Sequence, residues 1–427
     1  MRVSADGGEP TPVTTLEGGG KAWLRRWPAF LPDDRHFLYL VTSPVAAEAG
    51  IYVGSIGSSG ATRLLASDTN AIYAPAGALL FIRDGTLLSQ RFDATRLALQ
   101  GGALPVAEHV GHDLFGLGAF SASATGVLTY RTDGAADRQL TCVDRAGRAL
   151  ETVGPPGSYL DASLSPDATR VAFVRRGQNG ADDIWTLGLA GPTPAPSRLT
   201  FTVGSKNEPI WAHDGSRIFY ASMQDGAPGI FEKSVTGTQT EQLLVRAART
   251  IVPFDVSADG RFLLYFEDRG PATSYDVFAL PLTGERTPFP VVQTPFADIE
   301  PHLSPDGRWV AYLSTSTGSA EVYVQPFPPS GARRQISTGG GRQPMWRRDG
   351  QELFFVSDER KFYAVEVRPG AFEFGTPQLL FDLHANVVNI RNSYAPSPDG
   401  QRFLVNMPLD TAPSPITVVL NWSAGLK

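Results

Sequence analysis

The stretch Leu303–Ser314, LSPDGRWVAYLS, decides the fold. A Ser-Pro-Asp-Gly turn runs straight into an apolar segment, and close variants stand elsewhere in the chain. They read LSPDATRVAFVR from Leu164, VSADGRFLLYFE from Val256, WRRDGQELFFVS from Trp346 and PSPDGQRFLVNM from Pro396. A sixth copy is centred on His213-Asp214-Gly215. Either the recurring Asp is a catalytic group used many times over, or it is part of the architecture.

Spacing favours architecture. The turn aspartates Asp167, Asp214, Asp259, Asp306, Asp349 and Asp399 lie 47, 45, 47, 43 and 50 residues apart, the period of a propeller blade. Four residues after each stand Val171, Ile218, Leu263, Val310, Leu353 and Phe403. Two further on stand Phe173, Tyr220, Tyr265, Tyr312, Phe355 and Val405, again apolar. A short strand that is apolar at consecutive positions must be buried on both faces, as a blade between two neighbours is. Proline presets a turn dihedral, Asp bonds turn amides and Gly supplies φ > 0. The triplet therefore links an inner strand to the next one, and the aspartates are structural.

A third strand follows in each repeat, as at Asp183-Ile184-Trp185 and Glu321-Val322-Tyr323, and then a fourth, as at Gln242-Leu243-Leu244-Val245. Three weaker copies precede the six, leading into Phe37-Leu38-Tyr39-Leu40, Leu79-Leu80-Phe81-Ile82 and Val127-Leu128-Thr129-Tyr130. The expectation is an all-β propeller of four-stranded blades. Residues 1–139 form a partial propeller of about three blades, and residues 140–427 form a six-bladed one. The alternative is a single nine-bladed ring. In the six-bladed reading Ile416–Trp422 is the third strand of the last blade, and Ala149-Leu150-Glu151-Thr152-Val153 returns as its outer strand. Arg2-Val3-Ser4 and Pro12–Leu16 read as the third and fourth strands of a blade opened at the N-terminus.

Composition excludes several classes. Charged residues make up 19% of the 427 and the net charge is −6, so there is no basic footprint for nucleic acid. The single cysteine, Cys142, rules out an internal disulfide framework and a multi-cysteine zinc site. No run approaches the roughly 20 apolar residues of a membrane span, and the N-terminus lacks a signal-peptide pattern. The chain reads as soluble and without an export address.

The Ser-Pro-Asp-Gly turns resemble those of TolB-like propeller repeats. The chain also resembles the propeller region that follows the kinase domain and membrane helix of bacterial membrane-anchored serine/threonine kinases. This second resemblance rests on Phe30-Leu31-Pro32-Asp33-Asp34-Arg35-His36-Phe37-Leu38-Tyr39, Glu321–Pro328, Ser337-Thr338-Gly339-Gly340-Gly341 and Pro415–Trp422. It implies a sensor or scaffold, extracytoplasmic if joined to such a kinase. Kinase activity does not carry over: no His-Arg-Asp catalytic loop, Asp-Phe-Gly or glycine-rich strand-turn with its lysine is present.

Other catalytic signatures are weak. No Gly-x-Ser-x-Gly elbow exists. Gly18-Gly19-Gly20-Lys21 lacks phosphate-loop spacing, and His109-Val110-Gly111-His112 has no third metal ligand. Trp27, Trp185, Trp211, Trp309 and Trp346 fall within strand patterns and read as packing residues. The informative set lies six residues before each turn Asp: Asp161, Glu208, Pro253, Glu300, Gln343 and Ser393. Inner strands line a propeller's channel, so Asp161, Glu208, Glu300 and Gln343 are expected near one mouth, joined by Asp255 and His302 four residues before their turns. A ring of carboxylates attracts a divalent cation or a basic peptide group; the competing reading has these residues bonding adjacent backbone. The function expected is non-enzymatic binding of a protein, peptide or small ligand, with no resident cofactor. The alternative is a hydrolase or lyase using the channel carboxylates as acid and base.

Overall fold

The computed structural model describes the whole chain except residues 1–2, 4–5, 10, 12, 14–23, 44–46, 59, 113–115, 133–137, 158, 177–181, 190–194, 203, 225–226, 237–239, 271–272, 369, 371, 384–392, 410–414 and 426–427. The Pro12–Leu16 strand and the Gly18–Lys21 motif therefore lie outside or almost wholly outside the described residues, as do Arg2 and Ser4. The described residues form antiparallel sheets, mostly four-stranded, and the only helix is a single turn at Trp422–Gly425. The chain is all-β, as its turns and apolar runs predict. It divides into two compact units, Met1–Ala136 with Asp410–Lys427, and Asp137–Leu409.

The larger unit holds six sheets. In the first five the order is sequential: an inner strand, a second strand entered through the Asp turn, a third, and a short outer one. The inner strands are Leu160–Leu164, Lys206–Trp211, Ile251–Val256, Asp298–Leu303 and Arg342–Trp346. The sixth sheet starts with Tyr394–Pro396 and Arg402–Pro408, then takes both remaining strands from the beginning of the unit, Arg138–Asp144 and Ala149–Gly157.

This corrects the expected third strand of the last repeat. Ile416–Leu420 pairs instead with Val127–Arg131 in the other unit, Val418 opposite Thr129. The residues Asp410–Lys427 accordingly group with 1–136, not with the preceding repeats. Local pattern could not separate the two candidates, because Leu140-Thr141-Cys142-Val143 and Ile416-Thr417-Val418-Val419 are equally strand-like. The outer strand at Ala149 was legible because it stands just before the first strong repeat.

Packing explains the apolar triplets. Val310 and Tyr312 join a cluster with Leu264, Val277 and Ala279 of the third sheet, whereas Ala311 points the other way, onto Leu353 and Phe355 of the fifth. All three are fully buried. Each such Val or Tyr contributes about 1.5–3 kcal/mol of burial. Similar clusters join the first sheet to the second, the second to the third, the fifth to the sixth, and the sixth back to the first through Leu140, Leu404, Val171 and Phe173. Sheet packing in this unit thus runs in a cycle.

The smaller unit contains three sheets. Two have four strands, Leu24–Phe30 to Ala61–Leu65 and Ala71–Ala74 to Ala98–Ala107. The third comprises Phe120–Ala122, Val127–Arg131 and Ile416–Leu420.

Candidate functional site

The turn aspartates are fully engaged locally. Asp306 Oδ1 accepts the Ser304 hydroxyl at 2.6 Å and the Arg308 N–H at 3.1 Å, while Ser304 Oγ accepts the Trp309 N–H at 2.9 Å. Asp167, Asp259 and Asp399 repeat this with Ser165, Ser257 and Ser397. These bonds favour the charged form; in Asp167 the Ser165 hydroxyl, then the Thr169 amide, hold the carboxyl at about 2. Such a group is a poor general base at neutral pH. The next residue takes φ between 63° and 72° where it is glycine, and Ala168 adopts 55° in the first copy.

The residues six places upstream of each turn occupy one recurrent backbone feature. Asp161, Glu208, Glu300 and Gln343 all have φ between 50° and 57°, and each sits where pairing between inner and second strands shifts register. A bulge of this kind re-aims the side chain. In Asp161, Glu300 and Gln343 it is aimed at the following sheet. Asp161 Oδ2 accepts the N–H of Glu208 at 3.3 Å, Glu300 Oε2 that of Gln343 at 2.6 Å, and Gln343 Oε1 that of Ser393 at 2.9 Å.

The third sheet has Pro253 at this position, whose side chain has no acceptor to offer the fourth sheet. Its link to the fourth sheet comes instead from Asp255, whose Oδ2 accepts the Leu303 N–H at 2.7 Å. The expected ring is therefore a belt of sheet-to-sheet hydrogen bonds. Asp161, Glu300 and Gln343 are buried, and among the described residues no group of three or more His, Cys, Asp or Glu is placed to hold a metal ion. Burial raises the Glu300 carboxyl to about 7, against the pull of the Gln343 amide.

Of the six predicted residues, Asp255 and His302 line a cavity of about 280 Å³, whereas Asp161, Glu208, Glu300 and Gln343 do not. The cavity is bounded by residues from all six inner strands and the turns that follow them. Its apolar wall includes Trp211, Phe254, Met345 and Trp346. Two of these are fixed by their indole N–H groups, Trp211 to Ser163 O at 2.9 Å and Trp346 to His302 O at 3.0 Å. Both bonds join one sheet to the sheet before it, so these tryptophans pack the sheets and shape the cavity at once.

His302 Nδ1 lies 3.9 Å from Asp255 Oδ2, and the His302 ring meets Phe254 edge-on. Desolvation lowers the His302 pKa to about 4, leaving a neutral imidazole. Its Nε2 is buried without a hydrogen-bond partner among the described residues. Asp255 keeps 28% side-chain exposure toward the narrow cavity, yet the surrounding protein raises its carboxyl to about 7 despite the Leu303 and Val256 amides.

Sequence reasoning missed the rim. The residue before each turn Asp is Pro166, His213, Ala258, Pro305, Arg348 or Pro398, and all six line the cavity. Arg348 and His213 break the Pro/Ala pattern, which was the available signal. Arg348 Nη1 donates to Pro166 O at 3.0 Å, reaching from the fifth sheet to the first. Arg348 places one positive charge on the rim.

A fold of four-stranded antiparallel sheets packed side by side around such a cavity is that of a β-propeller. A TolB-type structure from Agrobacterium tumefaciens matches 65% of this chain and 100% of its own, at 19% identity and a TM-score of 0.53. TolB from Acinetobacter baumannii matches 81% of this chain and 80% of its own, at 13% identity and a TM-score of 0.42. An oligogalacturonate lyase in complex with manganese matches 72% and 82%, at 14% identity and a TM-score of 0.44. In sequence, the uncharacterized protein Atu1656 of Agrobacterium fabrum is 25% identical over 223 residues, spanning 48% of this chain and 71% of that protein. No family model matches the chain. Among the described residues no helix is long and apolar enough to cross a membrane.

Proposed function

We propose that the unit Asp137–Leu409 is a six-bladed propeller that binds a protein segment or small ligand at the turn face of its channel, without catalysing a reaction. The observation that carries this reading is the His302 site. His302 Nε2, buried without a partner among the described residues, belongs to the wall of a cavity built by six strands, and an unmet buried polar group costs roughly 1–3 kcal/mol until something bonds it. A polar group of the ligand, donor or acceptor to suit the imidazole tautomer, supplies that bond. The aromatic wall takes an apolar body, and Arg348 with His213 suits a carboxylate left at the rim. The resemblance to propellers attached to bacterial serine/threonine kinases supports a sensor or scaffold role.

Hydrolase or lyase chemistry is the second reading, favoured by the displaced titrations of Asp255 and His302 within one cavity. Paired carboxylates would serve it better, and Glu300 lies outside the cavity. The test is tryptophan fluorescence, with Trp211 and Trp346 as reporters, during titration with N-acetylated apolar dipeptides bearing a free carboxylate. Saturable quenching is expected, weakened at least tenfold by His302→Phe and by Arg348→Ala, with the dipeptide recovered intact. Quenching that both variants leave unchanged would overturn the site, and consumption of the dipeptide would overturn the non-catalytic reading.

A further inference from the structure

The first and second sheets of the larger unit meet through a buried ion pair. Lys206, first in its inner strand, is fully buried, and its Nζ lies 3.5 Å from Asp183 Oδ1 in the third strand Asp182–Gly188 of the sheet before. The ammonium also donates to the carbonyls of Thr202 and Gly204, while Arg198 meets the other Asp183 oxygen at 2.6 Å. Strand register carries these two positions to later sheets. Asp183 stands opposite Arg175 and Lys206 opposite Ser222; in the third and fourth sheets Asp276 stands opposite Glu267 and Asp298 opposite Ser314. Each of these partners lies two residues beyond the buried aromatic of its second strand, Phe173, Tyr220, Tyr265 or Tyr312. Where the third sheet meets the fourth, a second carboxylate thus takes the place of the lysine.

The junctions on either side do not pair two acids. Between the second and third sheets the two positions hold Gly229 and Ile251. Between the fourth and fifth they hold Glu321 and Gly341, and Glu321 is met by the Ser337 hydroxyl and the Gly339 and Gly340 amides. Asp276, Asp298 and Ser314 are all fully buried. Asp276 Oδ2 accepts the Thr273 hydroxyl and the Gln293 amide, each at 3.1 Å, and Asp298 Oδ2 accepts the Thr294 hydroxyl at 2.6 Å. Asp276 Oδ1, Asp298 Oδ1 and Ser314 Oγ are buried without a hydrogen-bond partner among the described residues. Burial raises the Asp298 carboxyl above its ordinary value, against the pull of the Ser314 and Thr294 hydroxyls and of Arg333, and the charge of Asp276 adds to the rise. Arg333 is held over the Tyr323 ring, 4.9 Å from its centroid, and forms no ion pair with either carboxylate.

We propose that this junction binds a calcium ion between Asp276 and Asp298, in the place that Lys206 fills one junction earlier in kind. Two buried carboxylates without a cation are costly, and calcium matches their combined charge. It is a hard ion that takes roughly six to eight oxygens in irregular arrangements. Ser314 Oγ offers a third oxygen from directly across the strand pair. The carbonyls of Thr294 and Phe296 stand four and two residues before Asp298, as those of Thr202 and Gly204 stand before Lys206. Magnesium fits less well, because it demands octahedral geometry and keeps several of its waters. The site lies at the end of the inner strand away from the Asp turn, and is separate from the His302 cavity.

The test uses the full chain, freed of metal with a chelator and dialysed against micromolar calcium chloride. Bound calcium is counted by atomic emission, and thermal melts are run with calcium and with chelator. One calcium per chain is expected, with a higher melting temperature than in chelator. Asp298→Asn keeps the shape and removes a charge, and should weaken binding at least tenfold. Asp298→Lys installs the ammonium found at Lys206, so it should bind no calcium and melt alike in both conditions. Folded wild type without stoichiometric calcium, or equal calcium on the wild type and Asp298→Asn, would overturn the proposal. A wild-type melting temperature that ignores calcium but rises on mild acidification, with no such rise in Asp298→Asn, would overturn it in favour of a proton shared by the two carboxylates.

Discussion

Glu300 Oε2 accepts the backbone N–H of Gln343 at 2.6 Å, joining two neighbouring sheets through a carboxylate that is fully buried. Its other oxygen, Oε1, is buried without a partner among the described residues. One oxygen therefore holds the belt together while the other makes the ionised state costly.

Glu300→Gln keeps the acceptor and removes the charge. The folded carboxyl titrates at about 7, above the ordinary 4.5, so the unfolded chain loses its proton first as pH rises. The contribution of Glu300 to stability falls between about pH 4.5 and 7 and then levels. The variant should match the wild type near pH 4.5 and exceed it at pH 8 by on the order of 1–3 kcal/mol. Urea midpoints at the two pH values check this; a variant less stable at pH 8 would refute it. Asp255, raised in the same direction, leaves a residual slope.

His302 works in the opposite sense. Its folded pKa of about 4 lies below the ordinary 6.5, so under acid conditions the unfolded chain takes up a proton that the folded chain refuses. The contribution of His302 to stability should drop as pH falls from about 6.5 to 4. Replacing His302 with Phe should flatten that limb by up to about 3 kcal/mol. Thermal melts between pH 4 and 7 read the difference, and an unchanged acid limb would show that the imidazole is protonated in the folded state.

Ala168 occupies the turn position filled elsewhere by Gly215, Gly260, Gly307, Gly350 and Gly400, with the same left-handed φ. A Cβ in that region costs about 1–2 kcal/mol, part of which glycine's greater freedom in the unfolded chain takes back. Ala168→Gly should therefore stabilise the protein by about 0.5–1 kcal/mol, seen as a raised melting temperature. No gain would mean the first turn relaxes around alanine.

Asp306→Ala removes acceptors for the Ser304 hydroxyl and the Arg308 N–H. The loss expected is about 1–2 kcal/mol of stability, with dipeptide quenching at the His302 cavity unchanged. A variant that folds normally but no longer binds would return the turn aspartates to the functional site.

The repeat, the role of its Asp and the all-β class were legible because each rests on residues adjacent in sequence. Pro-Asp-Gly fixes a turn, and Val310-Ala311-Tyr312 announces burial on both faces. The channel carboxylates were legible only as a set. That Asp161 and Glu300 point at the next sheet depends on left-handed bulge residues in the inner strands, and no composition rule places such a bulge at Glu or Asp. His302 and Asp255 were picked out by position, but the cavity they share exists only once six strands converge.

By itself, then, the sequence determined the local device: a turn, a doubly buried strand, and their recurrence every forty to fifty residues. Tertiary structure decided the partners. Arg138–Asp144 and Ile416–Leu420 are interchangeable by strand propensity, yet the first pairs with Arg402–Pro408 and the second with Val127–Arg131. Strand propensity measures how well a residue fits a pleated surface, and it carries no information about which distant edge that surface will meet.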